Sequence, residues 1–138
     1  MTITGGCLCG AIRFEVAGEP LTTRACWCRL CQYLGGGTAT VNLGFRREVL
    51  RVQGKPSTFE SVADSGNHLV RSFCGNCGTP LFSEARERPA FVFIRAGALD
   101  DPEIARPEKT VWTSMAPSWA CIDPETERLA GQAPPLRA

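Results

Sequence analysis

His68-Leu69-Val70-Arg71-Ser72-Phe73-Cys74-Gly75-Asn76-Cys77-Gly78-Thr79-Pro80-Leu81-Phe82-Ser83-Glu84 is the stretch that decides the fold. Two short runs, His68 to Phe73 and Pro80 to Glu84, flank a turn from Cys74 to Gly78, and together they read as a β-hairpin. Outward from it, Ala11 to Val16 alternates, with Ile12, Phe14 and Val16 on one face and charges on the other, as a half-buried strand does. Thr38 to Leu43 alternates in the same way. Ala90 to Ala96 is apolar almost throughout and reads as a central strand buried on both faces, and Lys109 to Trp112 is a further strand candidate. Arg46 to Leu50 and Pro102 to Ala105 each allow one helical turn, but no stretch keeps apolar spacing for three turns. The 14 Gly and 10 Pro fall between these runs. The expectation is a mainly β, single small domain of short antiparallel strands with zinc knuckles over residues 1–123. A Pro-containing tail, irregular or frayed, follows over 124–138 with Pro134 and Pro135.

At 138 residues and 43% hydrophobic content the chain suits one globular domain. Fifteen Lys+Arg against 14 Asp+Glu leave a formal charge of +1, which argues against nucleic acid and anionic membrane as partners. Lys55 and Lys109 are the only lysines; Arg forks suit bidentate carboxylate recognition, although base composition produces the same bias. No apolar run approaches the roughly 20 residues of a membrane span. Met1 to Cys7 has neither a basic segment nor an apolar stretch, so a cytoplasmic location is expected. Thiols stay reduced there, and the eight cysteines then point to metal or catalysis before disulfides.

Seven of these cysteines cluster as four and three. Cys7-Leu8-Cys9-Gly10 and Cys74-Gly75-Asn76-Cys77-Gly78 each place two thiolates on a tight turn followed by a Gly. Two such knuckles make one closed four-thiolate zinc site, a structural staple between the N-terminal strand and the hairpin. Cys26-Trp27-Cys28-Arg29-Leu30-Cys31 supplies three thiolates within six residues. Three protein ligands with a fourth position open is the arrangement of a catalytic zinc. Cys121, His68 or a carboxylate could close that position and make the site structural, and Cys28 with Cys31 could instead form a redox pair. Zinc with three thiolates carries a net charge of −1 and is a weak activator of water, so a thiol ligand suits it better.

Other residues carry weaker signals. Tyr33 and Gly35-Gly36-Gly37 read as a flexible rim or as a plain turn into the next strand. Trp27 reads as a metal shield, a pocket wall or packing, and His68 as a structural or surface residue. Cys121, in the apolar setting Trp119-Ala120-Cys121-Ile122, reads as a buried small hydrophobe. Asp100 and Asp101 read as turn formers.

Gly5-Gly6-Cys7-Leu8-Cys9-Gly10-Ala11, the Cys26/Cys28/Cys31 triplet, Phe73-Cys74-Gly75-Asn76-Cys77-Gly78-Thr79, Gly97-Ala98-Leu99-Asp100 and Trp112 with Ala116-Pro117-Ser118-Trp119 occur in that order. Together, from about Thr4 to Asp123, they resemble the glutathione-dependent formaldehyde-activating family. The resemblance implies a β-rich fold with two zinc sites, a structural one on Cys7, Cys9, Cys74 and Cys77 and a catalytic one on Cys26, Cys28 and Cys31. It implies carbon–sulfur lyase chemistry, in which glutathione or a similar thiol adds to formaldehyde or another small carbonyl, or the adduct breaks down. The family's triplet usually reads Cys-His-Cys-x-x-Cys-Arg; here Trp27 stands for the His and Gln32 for the Arg. Arg24 and Arg29 are the candidate contacts for the thiol substrate's carboxylates. Two other functions fit parts of the pattern: a non-catalytic zinc module for a protein partner, and a redox enzyme using Cys121, as some methionine sulfoxide reductases pair a four-cysteine zinc with a β fold.

Overall fold

The computed structural model describes residues 1–137, and Ala138, the end of the expected tail, lies outside them. Among the described residues eleven strands form: β1 (Thr2–Gly6), β2 (Arg13–Ala17), β3 (Thr22–Cys26), β4 (Thr40–Arg46), β5 (Leu50–Gln53), β6 (Ser57–Val62), β7 (His68–Phe73), β8 (Pro80–Ala85), β9 (Phe91–Arg95), β10 (Lys109–Val111) and β11 (Glu127–Arg128). The deciding hairpin is present as β7 and β8, paired antiparallel from Leu69–Ala85 to Phe73–Pro80 with a bulge at Ser72/Phe73. Both expected helical turns exist as 3-10 turns, Arg47–Val49 and Pro102–Ala105. One α-helix, α1 (Arg29–Leu34), is too short to show periodicity in the sequence.

β1, β2 and β5 make a small antiparallel sheet. The other strands make an eight-stranded sheet in the order β11-β10-β3-β4-β9-β8-β7-β6. Its pairs are antiparallel except that β10 runs parallel to both β3 and β11, so the sheet is mixed rather than wholly antiparallel. More than eighty residues separate β3 from β10, and a connection of that length leaves strand direction free, unlike a hairpin. β9 lies fifth in the sheet, and Phe91, Val92, Ile94 and Arg95 on it are buried, the two-faced burial expected of its apolar run.

The large sheet has two different faces. Leu43, Phe45, Leu81, Val92 and Ile94 pack against Ile3, Phe14, Val16 and Leu50 of the small sheet and form the core. Leu43, Leu81, Val92 and Ile94 are fully buried, each contributing about 1.5–3 kcal/mol from removal of apolar surface. Close sheet contact requires Gly5, where a Cβ would collide with the Ala98 carbonyl and the Phe14 ring. Residues alternating with the core set, among them Arg24, Asn42 and Arg95, fall on the opposite face.

The C-terminal segment is irregular beyond β11 but is not frayed. Thr126 is buried and its hydroxyl meets that of Thr110 at 2.8 Å, Ala133 is buried, and Arg88 donates to the Leu136 carbonyl. The two paired positions of β11 beside β10, Lys109–Glu127 and Thr110–Arg128, and these contacts hold the segment over the polar face, where no sequence periodicity announces it.

Candidate metal centres and cavity

The first cysteine cluster is built by two turns of the same design. After β1, the Gly10 N–H donates to the Cys7 carbonyl at 3.1 Å, and the Ile12 N–H donates to the Cys7 Sγ at 3.2 Å. After β7, the Gly78 N–H donates to the Cys74 carbonyl at 2.8 Å, and the Cys77 N–H reaches the Cys74 Sγ at 3.5 Å. Gly10 and Gly78 have φ of 82° and 80°, a region that costs other residues about 1–2 kcal/mol. The Leu8 N–H donates to the Thr79 hydroxyl at 3.0 Å and joins the knuckles. All four Sγ atoms lie within 4.8 Å of one another, with Cys7–Cys9 at 3.6 Å and Cys9–Cys74 at 3.7 Å. A tetrahedral ion with metal–sulfur bonds of about 2.3 Å needs sulfurs about 3.8 Å apart, so the donor set fits such an ion. Hydrogen bonding from Thr79 brings the Cys77 thiol down to about 5, which readies it as a thiolate ligand.

The second cluster sits where β3 gives way to α1. Cys26 ends the strand, Cys28 caps the helix with its Sγ accepting from the Cys31 N–H at 3.2 Å, and Cys31 lies in the first turn. Their sulfurs also lie within 4.8 Å of one another. Hydrogen bonds from Cys26 and Cys28 hold Cys31 far below the usual thiol range, while Cys28 and Cys31 push Cys26 far above it. Three thiols this close cannot all ionise unaided; a bound cation would let them, so this donor set also fits a metal. Among the described residues no further Cys, His, Asp or Glu completes the group. His68 is exposed and pairs with Glu87 at 3.0 Å. Cys121 is also exposed, which corrects its reading as a buried hydrophobe: it follows Pro117 in an irregular stretch that enters no strand.

Cys26, Cys28 and Cys31 line a cavity of about 510 Å³ on the polar face of the large sheet. Arg24, Asn42 and Arg95 form one register row across β3, β4 and β9, and Arg71 enters from β7 opposite Ser83. Phe93 supports the Arg24 guanidinium at 4.5 Å, and Ala133, Pro135 and Leu136 of the C-terminal segment complete the wall. Arg29 is exposed and is not among the lining residues; it donates to Gln32 Oε1 and stacks over Tyr33 at 5.1 Å. Trp27 is buried away from the cavity, edge-on to Trp119 with centroids 6.5 Å apart. Sequence reading missed Asn42, Arg71 and Arg95. Their signal is a polar residue at the position that alternates with the core set, as Asn42 alternates with Val41 and Leu43.

The sequence profile of the family described as "Glutathione-dependent formaldehyde-activating enzyme" matches residues 2–115. The chain belongs to this family. Both cysteine clusters fall inside the match, while the cavity wall at Ala133, Pro135 and Leu136 lies beyond it. A Halomonas elongata protein named "Putative glutathione-dependent formaldehyde-activating enzyme" is 29% identical over 133 residues, covering 89% of this chain and 82% of its own. A crystal structure of a Rhodobacter sphaeroides protein matches with a TM-score of 0.56 at 24% identity, covering 70% of this chain and 87% of that one, a likeness of fold. Among the described residues no helix is long and apolar enough to cross a membrane.

Proposed function

We propose that this member of the glutathione-dependent formaldehyde-activating family is a zinc-dependent carbon–sulfur lyase. It joins glutathione or a similar thiol to formaldehyde or another small carbonyl, or runs the reverse reaction, and it works in the cytoplasm. The observation that carries this reading is the convergence of Cys26, Cys28 and Cys31 on a cavity wall with no fourth protein donor among the described residues. A zinc ion held there would supply a position that takes a thiol and lowers its pKa. A second zinc on Cys7, Cys9, Cys74 and Cys77 would tie β1 to the β7–β8 hairpin.

The chemistry asks little else of the chain. The S–C bond forms as the carbonyl π bond breaks, and the thiol's proton ends on the carbonyl oxygen, with no oxidant or reductant required. Arg24 and Arg95, both beside the cysteines, favour a thiolate over a thiol and offer N–H donors to the oxygen that gains charge. Arg24 also stands where a carboxylate of the thiol substrate could be held, with Phe93 fixing its plane. Phe91, Phe93 and the 133–136 segment limit water around the reacting atoms.

Elemental analysis with a turnover assay tests this. Wild-type protein should carry two zinc ions per chain, the second loosened by glutathione. Cys28→Ser should stay folded, carry one zinc and lose activity; an unchanged rate would sink the mechanism.

A further inference from the structure

Three buried arginines, Arg24, Arg71 and Arg95, line the cavity with no carboxylate in direct contact with them, while the fourth lining arginine, Arg88, is only half-buried and donates to the Leu136 carbonyl. Arg24 and Arg71 are each 7% exposed and Arg95 is 8% exposed, and none of the three makes an ion pair among the described residues. Arg95 donates to Asn42 Oδ1 and Arg71 to the Ser61 hydroxyl, both neutral partners. The Nε atoms of Arg24 and Arg71 are buried with no hydrogen-bond partner at all. Buried guanidinium groups lose their hydration and need an anion in exchange. Asp64 and Glu87 also line the cavity but are exposed, and Glu87 is occupied by His68. Three thiolates holding a divalent ion would carry one net negative charge, fewer than the three buried guanidinium groups beside them.

We infer that Arg24, Arg71 and Arg95 form a carboxylate-binding subsite in the cavity, so that the substrate this protein selects is anionic. The inference rests on the cavity being the substrate site, as read above, but it needs neither a metal nor a free thiol to hold. The planar forks and the two vacant Nε–H donors suit a carboxylate held in bidentate fashion. That carboxylate can arrive on the thiol or on the carbonyl partner, and the test separates the two.

Isothermal titration of the zinc-loaded protein with four probes decides the matter: glutathione, S-methylglutathione, glutathione diethyl ester and glyoxylate. S-methylglutathione has no free thiol, so its binding reports the subsite alone. If the thiol substrate brings the carboxylate, S-methylglutathione binds, the diester binds at least about tenfold more weakly, and Arg71→Gln and Arg95→Gln each cost wild-type affinity about tenfold or more. If the carbonyl partner brings it, glyoxylate binds and shows the same losses. Arg71→Lys keeps the charge without the fork and should recover part of the loss. Far-UV circular dichroism and zinc content show that each variant is folded, and the ester comparison on wild-type protein needs no variant. Equal affinity for acid and ester with no binding of glyoxylate, or variants that bind as wild type does, overturns the inference. If S-methylglutathione binds through the arginines while glutathione leaves the zinc content unchanged, the subsite stands and the thiol–zinc reading falls.

Discussion

Gln32 Nε2 donates to the Trp27 carbonyl at 2.8 Å, and these are the two positions at which the triplet departs from the pattern of the family it resembles. The same Nε2 donates to the Met115 carbonyl at 3.0 Å, while Oε1 accepts from Arg29. The departures are therefore one joined unit: a buried amide that fastens α1 to the strand end before it and to the turn over Thr113–Met115. Gln32→Ala removes these bonds and leaves two carbonyls short of partners, at a cost of about 1–3 kcal/mol. Chemical denaturation should show that loss with zinc content unchanged.

Cys74→Ser should be far more damaging than Cys28→Ser. Cys74 is buried in the core cluster as well as being one of four sulfurs that join β1 to the hairpin. Loss of that site removes a connection spanning the chain from Cys7 to Cys77, and destabilisation above about 3 kcal/mol is expected, with one zinc lost. Cys28 caps a six-residue helix at the cavity, so its variant should unfold at a denaturant concentration nearer to wild type. Paired zinc analysis and denaturation curves test the ranking.

Two glycines should respond differently to alanine. At Gly5 the new methyl would strike the Ala98 carbonyl and the Phe14 ring, both fixed by the core, and overpacking of that kind costs about 1–3 kcal/mol or more. Gly18 has φ of 86° and open space around it, so its cost is the conformational one alone, about 1–2 kcal/mol. Differential scanning calorimetry should show Gly5→Ala unfolding at the lower temperature.

Acid stability should carry the signature of Asp100. Hydrogen bonding from Arg13 and Thr4 lowers its carboxyl to about 2, so the folded state holds the carboxylate more tightly than the unfolded chain does. The depressed pKa adds stability that is fully present above the ordinary aspartate range near 4 and is lost as the pH falls to about 2. Asp100→Asn should unfold at lower temperature than wild type at pH 6, and the gap should close between about pH 4 and pH 2. Unfolding temperatures across that range check the sign.

The legible parts of this fold were those with local patterns. β7, β8 and β9 follow from apolar runs and a turn, the four-cysteine cluster follows from cysteine spacing plus a Gly that can take positive φ, and the three-cysteine cluster follows from spacing alone. β1 and β3 escaped because Thr2–Gly6 and Thr22–Cys26 hold one large apolar side chain between them, Ile3, so their strand character comes from neighbours rather than from an alternating pattern of their own. β6 escaped because it lies at the sheet edge, mostly exposed on both faces. The cavity was legible only at its cysteines. Arg71 and Arg95 come from strands separated in sequence, and only the pairing of β4, β9, β8 and β7 brings them to one wall.

Placement of Leu136 in the cavity wall has a practical side. An extension fused at the C-terminus is separated from this wall residue by only two others, so a purification handle there could obstruct entry or, if rich in histidine, offer imidazoles to a metal held by the three cysteines. Met1 is exposed and directly precedes β1 of the small sheet, so a handle at that end leaves from a different sheet. Metal and ligand titrations on this protein are best made with the handle there, or cleaved away.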